Sequence, residues 1–184
     1  SGPAREVILD EIMRSWGGRD VSGMTAWLGR HQMLDGHPAD GSGDAAGAGA
    51  RIMQASALAD GGDVQAALRL CRPEDAIHSP GCTELLVQTL EQTNPRAARD
   101  WLQTLPPSAA KDRGLSTLAR WHDDSPSDAK ACVEQIGDAT LREQAAERTF
   151  EKWNATDPAA ARAWIGNLSA VDEAWRARYL RMNP

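Results

Sequence analysis

Apolar residues recur along this chain at spacings that place them on one side of short helices. After Pro95, apolar residues follow at offsets of three, six, seven and ten, as Ala98, Trp101, Leu102 and Leu105. Such i, i+3, i+4, i+7 spacing is typical of an amphipathic helix with one buried face. The same offsets after Pro158 give Ala161, Trp164, Ile165 and Leu168.

These offsets belong to an internal repeat with two columns of equivalent positions. The first column is the anchor at which the first helix of each repeat begins, and the second column lies five residues before it. The anchors are Val21, Val64, Pro95, Pro126 and Pro158, and the second column is Trp16, Ala59, Leu90, Trp121 and Trp153. Both columns advance by 43, 31, 31 and 32 residues, which indicates repeated structural units.

The first step is longer than the others by about 12 residues. The addition falls within residues 35–50, a stretch rich in Gly, Ala and Asp. This composition buries little apolar surface, so the segment is predicted to be a flexible insertion.

The residues around each anchor predict where the helices begin. Asp, Asn or Ser precedes the anchor and is suited to the N-cap, while Pro is well tolerated at the first helical position. A second helix then runs to the second column. Scarce Val and Ile, one Phe and one Tyr also disfavour β-sheets. We therefore predict an all-α fold, an α-solenoid of about five antiparallel helical hairpins forming a single domain over residues 1–184.

The pattern Trp-x4-Asp-Pro-x2-Ala-x2-Trp, read from Trp153 to Trp164, resembles the tetratricopeptide repeat and helical-repeat proteins of bacteria. The repeats here, at 31–32 residues, are shorter than the usual length of about 34, and they lack the Gly and Tyr that follow the Trp in that family. The resemblance implies a superhelical scaffold that binds proteins or peptides and carries out no chemistry.

The charge distribution excludes some classes of partner. The net charge is −6, and the whole excess of acidic residues lies in 1–92, which disfavours nucleic-acid binding. No apolar run reaches the roughly 20 residues of a membrane helix, so no membrane insertion is expected. A cytoplasmic and a cell-envelope location both fit, because Ser1-Gly2 is consistent with a cleavage scar and the natural N-terminus is therefore open.

One variable repeat position is the candidate partner-binding site. Four residues after the last three anchors stand Arg99, Lys130 and Arg162, which we call the basic column. In a solenoid these cations form a ladder on the first helices that suits an acidic peptide or a terminal carboxylate. The alternative is a solvated helix face on which Asp100 and Asp128 neutralise the cations.

Two further functional hypotheses stay open from sequence. One is an inhibitor or immunity-type protein whose acidic N-terminal half masks a basic partner. The other is an enzyme built on a helical array, but the sequence offers no convergent set of catalytic residues, so we expect no enzyme, cofactor or metal. The acidic run around Asp123 and Asp124 is interpreted as charge at a helix N-terminus.

The remaining cysteines and aromatic residues are interpreted structurally. Cys71, Cys82 and Cys132 lack metal-ligand spacing and are read as buried thiols, with a Cys71–Cys82 disulfide as the alternative. The Trp residues in the repeat columns are predicted to be core. Trp175 lies outside both columns and either closes the end of the array or acts as a binding anchor.

Overall fold

The described part of the chain is built from helices alone. The computed structural model describes Gly23 and residues 45–122, 125–168 and 171–182, and within them it has ten helices and no strand. This confirms the all-α fold class. The helices are α1 (Ala45–Asp60), α2 (Val64–Leu70), α3 (Pro73–His78), α4 (Pro80–Thr93), α5 (Pro95–Thr104), α6 (Ala109–Trp121), α7 (Pro126–Val133), α8 (Ala139–Asn154), α9 (Pro158–Asn167) and α10 (Glu173–Met182).

Four helices begin at the anchor residues of the repeat, namely α2, α5, α7 and α9. Asp63, Asn94 and Asp157 each cap one of them by accepting a hydrogen bond, of 2.9 to 3.1 Å, from the backbone N–H three residues on. Ser125 precedes α7, but its hydroxyl donates to the Asp128 carboxylate at 2.9 Å instead. The predicted helix starts are therefore confirmed at all four anchors that the structure describes, and the anchor Val21 lies outside those residues.

The predicted apolar stripe forms the buried side of the first helices. At offsets three, six, seven and ten from the anchor, every residue of the last three repeats is buried. These residues are Ala98, Trp101, Leu102, Leu105, Ala129, Cys132, Val133, Ile136, Ala161, Trp164, Ile165 and Leu168. In the shorter α2, Ala67 is buried and Leu70 is half-buried, and Cys71, which directly follows the helix, is buried.

The chain divides into two compact units, Ser1–Gly114 and Leu115–Pro184. In the first unit, α1 packs against α2, α3 and α4, and α4 packs against α3 and α5. In the second unit, α8 packs against both α7 and α9, and α9 packs against α10. The single repeat domain over residues 1–184 and the count of five hairpins stay predictions.

Residues 45–50, the end of the predicted flexible insertion, are instead the first turns of α1. Residues 47–50 are buried. A Cβ atom added to Gly49 would lie 3.2 Å from Ser79 Oγ and 3.6 Å from Cys82 Sγ. The small residues that suggested flexibility therefore allow α1 and α4 to approach closely. Residues 35–44 lie outside the described part.

The cysteines and most of the described Trp side chains occupy the core. Cys71, Cys82 and Cys132 are free and buried, in agreement with the thiol interpretation. Trp101 and Trp164 are buried as predicted. Trp16 and Trp27 lie outside the described residues.

Trp175, outside the repeat columns, packs inside the second unit. Its ring stacks on Tyr179 with centroids 5.2 Å apart, and Tyr179 meets Phe150 edge to face at the same distance. With only 7% of its surface exposed, Trp175 is a core residue of this unit.

Trp121 corrects the prediction that the column Trp residues are core. It is the last residue of α6, and 47% of its surface is exposed. Its equivalent Trp153 is half-buried, with its ring centroid 5.8 Å from that of Trp164. The residue equivalent to Trp164 in the repeat after Trp121 is Cys132, which has no ring to cover the indole.

The close approach at Gly49 is testable by substitution. Gly49→Val adds a branched side chain against Ser79 and Cys82 and is expected to lower the free energy of unfolding by about 1–3 kcal/mol. Gly166→Val is the matched control, since Gly166 is also helical and has no neighbour within 4 Å of an added Cβ. Its effect should stay within about 0.5 kcal/mol. Equal losses in urea denaturation would contradict this account.

Candidate interaction surface

The basic column lies on three successive first helices. Arg99 is on α5, Lys130 on α7 and Arg162 on α9, and each directly follows the buried Ala of its helix. Arg99 is exposed, and the other two are partly exposed. Arg99 belongs to the first unit, so Lys130 and Arg162 are the members that share a unit, on helices that both pack against α8.

The carboxylates near the basic column have partners along their own helices. Lys130 Nζ lies 3.8 Å from Glu134 Oε1, with both side chains more than 40% exposed. Asp100 lies 3.8 Å from Arg96 on the exposed side of α5. Exposed pairs at i, i+4 contribute only about 0.3–0.5 kcal/mol each. A partner carboxylate therefore competes with Glu134 for Lys130 at small cost.

A buried ion pair in the first unit was not predicted from the sequence. Arg51 of α1 is 8% exposed, and Asp75 of α3 is 1% exposed. Arg51 donates to Asp75 Oδ1 from Nε at 3.1 Å and from Nη2 at 2.5 Å. Arg72 adds a backbone hydrogen bond of 3.1 Å to Asp75 Oδ2 and a side-chain contact of 3.2 Å to Oδ1. Asp75 thus joins α1 to the start of α3.

The two arginines determine the protonation of Asp75. Burial by itself raises the pKa of its carboxyl, but the hydrogen bonds and positive charges of Arg51 and Arg72 outweigh burial and lower the pKa. The one sequence signal for this pair is that Arg51 is the only charged residue among the Ala-rich first turns of α1. A cation on an otherwise apolar helix face needs a buried counter-charge.

Two other titratable side chains have displaced pKa values. Burial, helped by the negative charge of Asp75, raises the pKa of the Cys71 thiol, so this cysteine stays protonated and is a poor nucleophile. Burial, with Glu151 and Glu147 nearby, raises the pKa of Tyr179 to about 12. Both side chains therefore remain neutral near pH 7.

Within residues 45–122, 125–168 and 171–182, no three His, Cys, Asp or Glu side chains are grouped so as to hold a metal ion. Asp123 and Asp124 lie outside these ranges. Among the residues that the structure describes, no helix has the length and apolar content required to cross a membrane.

Comparison with known proteins adds no relative. No family model, no curated protein and no solved structure matches the chain. The repeat and its basic column are therefore interpreted from this chain alone.

The buried ion pair generates a stability prediction. Asp75→Asn leaves Arg51 buried without its counter-charge and is expected to lower the free energy of unfolding at pH 7 by about 3 kcal/mol or more. Arg72→Gln is the control, because the Arg72 side chain is 60% exposed. Its loss should be about 1 kcal/mol or less.

The pH dependence provides a second measurement on the same variants. Since the pKa of Asp75 is lowered in the folded protein, its stabilising contribution is present above the unfolded-state pKa of about 4. It is lost as the pH falls through the folded-state pKa. The stability gap between wild type and Asp75→Asn should therefore be constant above about pH 5 and should narrow in acid. A gap that widens in acid would contradict this.

Proposed function

We propose that this chain is a noncatalytic scaffold that binds a protein or peptide along the face of its first helices. In this proposal the helices form a right-handed α-solenoid of about five antiparallel hairpins, and the basic column is the part of the face that recognises the partner. The recurrence of a cation at one repeat position, next to a buried Ala on each of α5, α7 and α9, is the observation that carries the proposal.

Contacts between equivalent positions support the stacked arrangement. Arg148 Nη2 donates to Ser116 Oγ at 3.0 Å, and these residues each stand five positions before a second-column Trp, one repeat apart. In the first unit, α1 and α4 each carry a buried second-column residue, Ala59 and Leu90, and the two helices pack against each other. Neighbours that meet at equivalent positions are typical of helical-repeat arrays.

The chemistry of the basic column favours a carboxylate-bearing partner. Arginine presents a planar group that binds carboxylates through two hydrogen bonds, and lysine adds a point charge. The acidic peptide or C-terminal carboxylate is the partner that matches the charge of these side chains.

A catalytic function has less support than binding. Catalysis needs ionisable groups that converge where a substrate can reach them. Two buried side chains of the described residues have displaced pKa values. Burial keeps the Cys71 thiol protonated, and the two oxygens of Asp75 are already bound by Arg51 and Arg72.

Charge reversal of the basic column tests the proposal. We expect Arg99→Glu, Lys130→Glu and Arg162→Glu, combined, to weaken the affinity for the partner captured by the wild-type chain about tenfold or more. The matched control reverses three exposed cations on second helices, Arg113, Lys152 and Arg178, with the same change in net charge. Both variants and the wild type are compared by affinity capture and then by titration with the purified partner.

The control separates local recognition from net charge. The proposal expects the second-helix variant to bind within about threefold of the wild type. Partner affinity unchanged in the basic-column variant would contradict the proposal. Equal losses in both variants would also contradict it, because they would indicate nonspecific attraction.

A further inference from the structure

Two Trp side chains at equivalent repeat positions have different surroundings in the second unit. Trp153 of α8 is half-buried, and its ring lies 5.8 Å from the ring of Trp164 at an interplanar angle of 37°. Trp121 of α6 has 47% of its surface exposed. Both residues stand five positions before the anchor Pro of the next first helix.

The two repeats differ at the residue six positions after the anchor. After Trp153 this position is Trp164, and after Trp121 it is Cys132. In the first unit the corresponding pair is Leu90 and Trp101, and both of these side chains are buried. Among the repeats that the structure describes, an exposed second-column Trp thus coincides with the absence of an aromatic ring at the following position.

We propose that Trp121 is the anchor site for an aromatic side chain of a bound peptide, which takes the part that Trp164 takes for Trp153. The inference rests on the proposed function, since it assumes that the chain binds a peptide. It specifies the partner further: a segment with a Phe, Tyr or Trp side chain. Tilted and offset ring pairs add stabilisation beyond the area they bury, so an indole with an open face prefers an aromatic occupant.

The size of the exposed surface favours a short segment over a second copy of this chain. Half of one indole side chain is on the order of 100 Å², whereas a stable protein interface buries roughly 800 Å² on each partner. The other large apolar residue exposed in the described part, Ile77, belongs to the first unit. Trp121 therefore suits a single side chain from a peptide that the scaffold holds elsewhere.

The experiment titrates the full chain with two synthetic peptides, Ac-Gly-Ser-Phe-Ser-Gly-NH2 and the same peptide with Ala in place of Phe. The indole N–H resonance of Trp121 reports binding in proton–nitrogen NMR spectra, assigned with the variant Trp121→Phe. We expect the Phe peptide to shift this resonance with an affinity at least about threefold higher than that of the Ala peptide. Equal shifts with both peptides, or none with either, would overturn the proposal.

Two substitutions at one residue provide the matched control. Cys132→Trp restores the ring found at the equivalent position of Trp164 and should abolish the preference for the Phe peptide. Cys132→Ala leaves the position without a ring and should retain the preference for the Phe peptide.

If circular dichroism shows that Cys132→Trp does not fold, the variant Trp121→Leu takes its place, with the backbone amides of Arg120 and His122 as reporters. A Phe preference that survives in the folded variant would overturn the proposal.

The basic-column variant distinguishes this inference from the proposed function. Arg99→Glu, Lys130→Glu and Arg162→Glu should leave the Phe preference unchanged, because the probe peptides carry no charge. If that variant keeps both the Phe preference and the partner affinity, the proposed role of the basic column is contradicted and the Trp121 site is not. If the variant loses partner affinity and the wild-type chain shows no Phe preference, the Trp121 site is contradicted and the role of the basic column is not.

Discussion

Burial of the short first helices against longer neighbours is the constraint on which the rest of this structure depends. Helices α2, α5, α7 and α9 have seven to ten residues, a length at which an isolated helix is not stable in water. Local capping begins them, but the buried stripe of Ala, Trp and aliphatic residues keeps them folded. Each first helix therefore needs a second helix beside it, and the repeat of the sequence follows from that need.

The close helix contact, the buried ion pair and the exposed Trp of this chain all lie at positions that depart from the repeat. Gly49 lets α1 come close to α4, and the buried pair of Arg51 and Asp75 joins α1 to α3, a helix that the repeat pattern does not contain. Cys132 stands at the position where the neighbouring repeats have Trp, and Trp121 is exposed. Shared positions thus maintain the packing, while the variable ones supply the candidate binding surface.

Sequence reasoning predicted the features that local chemistry determines. The starts of α5 and α9 follow from Asn or Asp before Pro, and their buried stripes follow from helical spacing. The pairing of Arg51 with Asp75 joins residues 24 positions apart, so no local pattern reveals it. The second-column pattern does not reveal that Trp121 is exposed whereas Trp153 is half-buried. Composition at residues 45–50 does not distinguish a flexible segment from a closely packed helix.

Duplication of one repeat tests the central claim, that the chain is a stack of equivalent hairpins. Inserting a second copy of residues 126–157 after Asp157 keeps an N-cap residue before each Pro126 and adds one complete unit. The account predicts more helical circular dichroism signal and a single thermal transition no lower than that of the wild type. The control inserts the same 32 residues in scrambled order. A duplicated unit that stays unfolded, as the scrambled one should, would contradict the account.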